Sequence, residues 1–167
     1  MGLSRSLELA GTDNEFNYTL IKKINMVYRL LDKIIEKHKD LVIAYSGGKD
    51  STLLLILLFN WIVDREIKEK LNITLLHNDT LGEINPMEFW ARSFMNHISQ
   101  KFEQLGHEVR IVITTPPAKD TFYWRVIVRG YPAPTFNFRW CVKLLKLKPT
   151  SKSLEEISHS KRTSPII

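Results

Sequence analysis

The sequence predicts an α/β fold, a three-layer α/β/α sandwich around a mostly parallel sheet, and two observations predict it. Short apolar runs at residues 41–45, 73–77 and 109–113 alternate with longer stretches whose apolar residues recur every three or four positions. Each run also closes on a turn signal: Ser46-Gly47-Gly48, Asn78-Asp79-Thr80 and, after a short gap, Pro116-Pro117. Strands alternating with helices in this way build parallel sheets through right-handed crossovers.

Residues 1–14 are polar and without period, a flexible leader ahead of a single domain expected over residues 15–149. From Phe16, apolar residues recur at Leu20, Ile24, Val27, Leu31 and Ile34, one stripe of a helix. Residues 41–45 (LVIAY) are the first strand, and a second helix follows from about Asp50 to Ile67. Residues 73–77 (ITLLH) are the second strand. The third helix covers about residues 86–105, with Phe94, Ile98, Phe102 and Leu105 on one face. Gly106 stands where a left-handed residue ends a helix. Residues 109–113 are the third strand. Beyond Pro117 the spacing predicts a short helix over 120–129 with Trp124 in the core, then a rigid loop over 130–134 and a basic helix over 139–147. Residues 150–167 are rich in Ser and Lys, and a flexible tail is expected there.

Function is most legible in Ser46-Gly47-Gly48-Lys49-Asp50-Ser51, set between a strand and a helix. Two glycines let the backbone turn sharply and bring its N–H groups to an anion with no side chain in the way. The helix opening near Asp50 aims more N–H donors and its positive end at the same point. Ser46 and Ser51 add hydroxyls and Lys49 a mobile cation, so the segment reads as a pyrophosphate cradle. It is not the Walker A pattern, which needs four residues between its first glycine and the Gly-Lys pair. A plain Gly-Gly turn with a Ser or Asp helix cap is the competing reading.

Further candidates lie at the other strand ends. Asp79 is placed to accept from a ribose hydroxyl or to join a Mg²⁺ shell through water, and Thr80 stands beside it. Turn capping is the alternative use of Asp79, and Glu83 is a weaker candidate for the same region. His77 reads as an ordinary strand-end histidine. Arg139, Lys143 and Lys146 fall on one face at helical spacing, suited to a triphosphate or a nucleic-acid backbone, or simply to solvent. Tyr131 and Trp140 suit base stacking or packing.

Composition narrows the classes. The formal charge is +6, which suits an anionic partner such as nucleotide or nucleic acid and also serves plain solubility. One cysteine, Cys141, excludes a disulfide scaffold or a multi-cysteine zinc site within one chain, and the expected location is cytoplasmic. The longest apolar run, residues 53–59, is too short to cross a bilayer, and residues 1–10 lack the pattern of a signal peptide.

The SGGKDS segment matches the SGGxDS signature of the PP-loop ATP pyrophosphatases. Together with NDT (78–80), RGYPAP (129–134) and RWC (139–141), it resembles the phosphoadenosine-phosphosulfate (PAPS) reductase superfamily, and within it the DndC family, the ATP-pyrophosphatase component of DNA phosphorothioation. The resemblance runs over roughly residues 38–149. It implies a nucleotide α-hydrolase-like sandwich that cleaves ATP between its α- and β-phosphates to activate an acceptor during sulfur insertion into DNA. It implies ATP and Mg²⁺ as ligands, with DNA, a cysteine desulfurase and other DNA-modification proteins as partners. On that reading Ser46, Lys49, Asp50, Arg139 and Lys143 are catalytic, and Ser46, Gly47, Gly48, Lys49, Asp50, Ser51, Asp79 and Thr80 bind nucleotide. Family members are longer and hold an iron–sulfur cluster on several cysteines, whereas Cys141 alone cannot supply the usual four ligands. The chain is therefore expected to be a truncated or divergent member. The alternatives are a PAPS reductase-like sulfonucleotide enzyme and a non-catalytic nucleotide- or DNA-binding module; oligomeric state is left open.

Overall fold

The computed structural model describes residues 14–160; the expected leader, apart from Asn14, and residues 161–167 lie outside them. The chain runs α1 (Asn14–Lys37), β1 (Asp40–Tyr45), α2 (Lys49–Asp64), β2 (Asn72–Asn78), α3 (Asn85–Gln104) and β3 (Glu108–Thr114), and ends in α4 (Lys148–Ser160). The three strands form one parallel sheet in the order β1-β2-β3. Tyr45 lies level with His77, and His77 with Ile113, so the strands end together and their loops meet above one edge.

Both crossovers step across the sheet in the same direction, which lands α2 and α3 on the same face. The main core records this: Leu55, Leu58 and Trp61 of α2 and Met95 and Phe102 of α3 pack with Ile43 and Leu75 of the sheet. Residues 41, 43 and 45 of β1 face this layer by the two-residue alternation of a strand. Helix α1 joins it through Tyr28 and Leu31, and its apolar stripe is the one the spacing predicted. Each side chain fully buried there contributes about 1.5–3 kcal/mol. Two polar ties lock α1 to α2. The Tyr28 hydroxyl donates to Asp64 Oδ2 at 3.1 Å, and Trp61 Nε1 donates to Asp32 Oδ1 at 2.9 Å. Burial, then the Asp64 carboxylate, push the Tyr28 phenol well above its usual range.

The other face is covered by α4. Val42, Leu76 and Ile157 form a second small core, with Val112 and Leu154 packed against it. This corrects the expectation of a flexible tail over residues 150–167: residues 150–160 continue a helix and supply the third layer. Leu154 and Ile157, three apart, give the segment an apolar stripe that burial on the sheet rewards, and this outweighs its Ser and Lys content. The domain thus reaches beyond residue 149. Among the described residues the sandwich is asymmetric, with α1, α2 and α3 in front and α4 behind. Among the described residues no helix is long and apolar enough to cross a membrane.

Between β3 and α4 the helix expected over 120–129 appears as a 3₁₀ turn (Ala118–Asp120) and a short π-helical segment (Trp124–Val128). Trp124 is 36% exposed rather than core, and Trp140 is buried in its place, stacked on Phe122 with its Nε1 donating to the Pro132 carbonyl. The basic helix expected over 139–147 is a second π-helical segment, Val142–Leu147, that runs directly into α4.

Asp120 clasps this region together. It is buried, and it takes an ion pair from Arg125 and another from Lys148 at 2.8 Å. Lys148 first, then Arg125, hold its carboxyl below the ordinary range. A depressed folded-state value means the clasp stabilises the fold at neutral pH and is lost as pH falls below the free aspartate range, near 4. Asp120→Asn is expected to lower the melting temperature by a few degrees at pH 7. The gap from the parent chain should close as thermal scans are taken to progressively lower pH below about 4.

Candidate functional site

The sequence SGG leaves β1 as a turn whose geometry only its first glycine permits. Gly47 has φ of +76°, a left-handed backbone, and a Cβ built there would stand 2.9 Å from the Ala91 Cβ of α3. Both the dihedral and the close approach demand a bare α-carbon. Gly48 is different: its φ of −81° is ordinary, and a Cβ would meet only the Ser46 hydroxyl at 3.4 Å.

The serines brace this turn. Ser51 Oγ donates to the Gly48 carbonyl at 3.1 Å and shares a 3.1 Å bond with Ser46 Oγ. The amide of Ser46 donates to Ser51 Oγ at 3.3 Å, and the Gly48 amide donates weakly to Ser46 Oγ at 3.4 Å. No side chain caps α2 at Gly48, although Ser46, Asp50 and Ser51 are all near enough in sequence to be candidates. The first-turn amides of α2 therefore keep their donors, and the turn is exposed.

Beside it, a cleft of about 210 Å³ opens at the carboxyl ends of β1 and β2. Ser46 and Gly47 form one wall, Leu76, His77 and Asn78 the floor, Met87, Glu88 and Ala91 of α3 a second wall, and Lys146 and Thr150 the third. Lys146 Nζ stands 3.8 Å from Glu83 across the mouth. A second cavity of about 290 Å³ shares Glu83 and Lys146 with the cleft and is lined by Thr80, Phe122 and Cys141.

Of the predicted residues, Ser46 and Gly47 line the cleft, while Gly48 is the N-cap of α2 and Lys49, Asp50 and Ser51 form its first turn, following directly on that wall. Asp79 sits behind it, buried, accepting from the Leu81 amide at 2.9 Å and from Arg92 at 2.8 Å. It caps its own turn, the alternative the sequence left open. Thr80 is buried and its hydroxyl accepts from the Gly82 amide at 3.4 Å, and it faces the second cavity. Arg139 and Lys143 line neither cavity; Arg139 donates to the Phe136 carbonyl and lies over that ring. Arg139 stands ahead of the helical residues and is held to Phe136, and of the three cations only Lys146 lines the cleft.

The sequence reading missed Glu88 and Arg92. His77 is 3% exposed, its Nδ1 donating to the Tyr45 carbonyl at 2.8 Å and its Nε2 3.0 Å from Glu88 Oε2. Glu88 Oε1 accepts from Arg92 Nε at 2.6 Å, and Arg92 continues to Asp79. Bonding to Glu88, then its charge and those of Asp79, hold the Arg92 guanidinium above even its usual high range. This chain of groups fixes the floor of the cleft to α3. The i, i+4 spacing of Glu88 and Arg92 was the available signal.

No dedicated metal cage fits these residues: among those described, no three His, Cys, Asp or Glu side chains converge, and Asp79 is already spent on Arg92 and Leu81. An iron–sulfur cluster would find Cys141 as its one thiol in this chain. Comparison with protein-family models and with curated proteins finds no match to this chain.

Gly47→Ala is expected to destabilise the fold by about 2 kcal/mol through its dihedral and the contact with Ala91. Gly48→Ala should cost well under half of that. Chemical denaturation of the two variants side by side checks the contrast; equal losses would remove the close approach as the reason for Gly47.

Proposed function

We propose that the cleft binds ATP and cleaves it between the α- and β-phosphates to activate an acceptor. One observation carries this reading: an exposed glycine turn leads into an uncapped helix at the mouth of a cleft above the carboxyl ends of parallel strands. Ligands of parallel α/β sheets bind at that edge, and free first-turn amides with a positive helix end suit a phosphate group. Lys146 at the mouth, with Lys49 at the start of α2, supplies cations on two sides.

In the proposed step an acceptor oxygen attacks the α-phosphorus, a new O–P bond forms, and the α–β anhydride bond breaks to release pyrophosphate. Catalysis of this kind rests on positioning and charge stabilisation. The turn amides and Lys49 take charge on the departing pyrophosphate. Lys146 takes the role expected of Arg139 and Lys143, because of the three it alone lines the cleft. Magnesium would be held chiefly by the phosphates of the nucleotide, where it would offset their charge with few protein ligands. Sulfur transfer to DNA as the downstream use, with a desulfurase and modification partners, rests on the family resemblance of the SGGKDS, RGYPAP and RWC segments.

A second reading is a nucleotide-binding module without turnover, favoured by the distance of Arg139 and Lys143 from the cleft. Two assays separate them: ATP affinity by calorimetry, and pyrophosphate release with and without DNA and a sulfur donor. Lys49→Ala and Lys146→Ala are each expected to weaken ATP binding about tenfold or more, whereas Arg139→Ala and Lys143→Ala should bind as the parent does. Affinity unchanged in Lys49→Ala and Lys146→Ala would remove the assignment; ATP binding without pyrophosphate release under any condition would favour the second reading.

A further inference from the structure

At the junction of the second π-helical segment with α4, Pro149 is buried and has no N–H. Pro149 can donate neither to the Leu145 carbonyl, as an α-helical bond would require, nor to the Leu144 carbonyl, as the π-helical spacing of the preceding segment would require. Leu145 is itself buried, which makes an unsatisfied carbonyl there costly. The missing donor comes from another layer of the fold. Asn78, the last residue of β2, donates through Nδ2 to the Leu145 carbonyl at 3.0 Å and to the Lys146 carbonyl at 3.1 Å. Its orientation is set by Thr114 of β3, whose hydroxyl donates to Asn78 Oδ1 at 3.2 Å. With one face of its amide donating and the other accepting, Asn78 has a single satisfactory rotamer.

Lys146 lies directly on this junction. Its backbone carbonyl is held by Asn78 while its side chain reaches the cleft and Glu83. Neither Arg139 nor Lys143, earlier on the same basic stretch, is held to the sheet end in this way or reaches the cleft.

We propose that Asn78 is the positioning residue that sets Lys146 against the phosphate of the bound nucleotide, acting through the π-helical junction that Pro149 creates. This role rests on the reading of the cleft as a nucleotide site. Asn78 borders the cleft as well, so direct contact with the ligand is the competing role, and the two differ in additivity.

The test is a double-mutant cycle on ATP affinity, measured by calorimetry on the full chain, with Asn78→Ala, Lys146→Ala and the double variant, each checked by its melting curve. Each single variant is expected to lose about tenfold, and the double variant to lose no more than Lys146→Ala alone. Multiplying losses would overturn the positioning role and make Asn78 a direct ligand contact. Should Asn78→Ala fail to fold, Pro149→Ala carries the test. It restores an N–H to the junction, so Asn78→Ser in that background should cost less affinity than Asn78→Ser in the parent; an equal or larger cost overturns the proposal. A parent chain that binds no ATP would overturn the nucleotide reading and this role together, an outcome distinct from additivity with normal parent affinity.

Discussion

Where the chain leaves β1 there is room for a hydrogen atom and nothing larger. The contact between the Gly47 α-carbon and Ala91 decides how near α3 can come to the end of the sheet. Because it comes close, Glu88 reaches His77, which its neighbouring strand already holds through the Tyr45 carbonyl, and the floor of the cleft is tied to one of its walls. A larger residue at either position would part the helix from the turn and unhook that chain of polar groups. Packing and hydrogen bonding thus depend here on the same small gap.

Much of the architecture was legible from periodicity. The three apolar runs became the three strands, and the stripes of α1 and α3, with the apolar helix α2, became the front layer, because their spacing matched the geometry that buries them. What escaped the sequence was mostly decided by pairwise contact across long separations. Leu154 and Ile157 look unremarkable among Ser, Lys and Glu until the back of the sheet offers Val42 and Leu76. Trp124 and Trp140 have the same intrinsic apolarity, and contacts with Phe122, Tyr131 and the Pro132 carbonyl accompany the burial of Trp140.

The site was legible to a similar degree. The turn at Ser46–Gly48 could be placed by strand, glycines and helix alone, and it does border the main cleft. The basic face was not legible, since Arg139 stands ahead of the helical residues and the Val142–Leu147 segment that holds Lys143 and Lys146 is wider than the α-helical spacing assumes. Asp79 shows the limit of residue type as a guide. Its carboxylate looked free for a ribose or a metal, yet Arg92, thirteen residues away in the next helix, engages it.

Helix α4 has two duties that are thermodynamically linked. The segment whose Ile157 closes the rear of the sheet is continuous with the residue that brings a cation to the cleft at the strand ends. Fraying of the C-terminal layer would uncover apolar surface behind the strands and, in the same event, withdraw Lys146 from the opening. An anion held by Lys146 at the strand ends would therefore shift the local unfolding equilibrium of the helix that covers the rear of the sheet, by no more than the free energy with which Lys146 grips it.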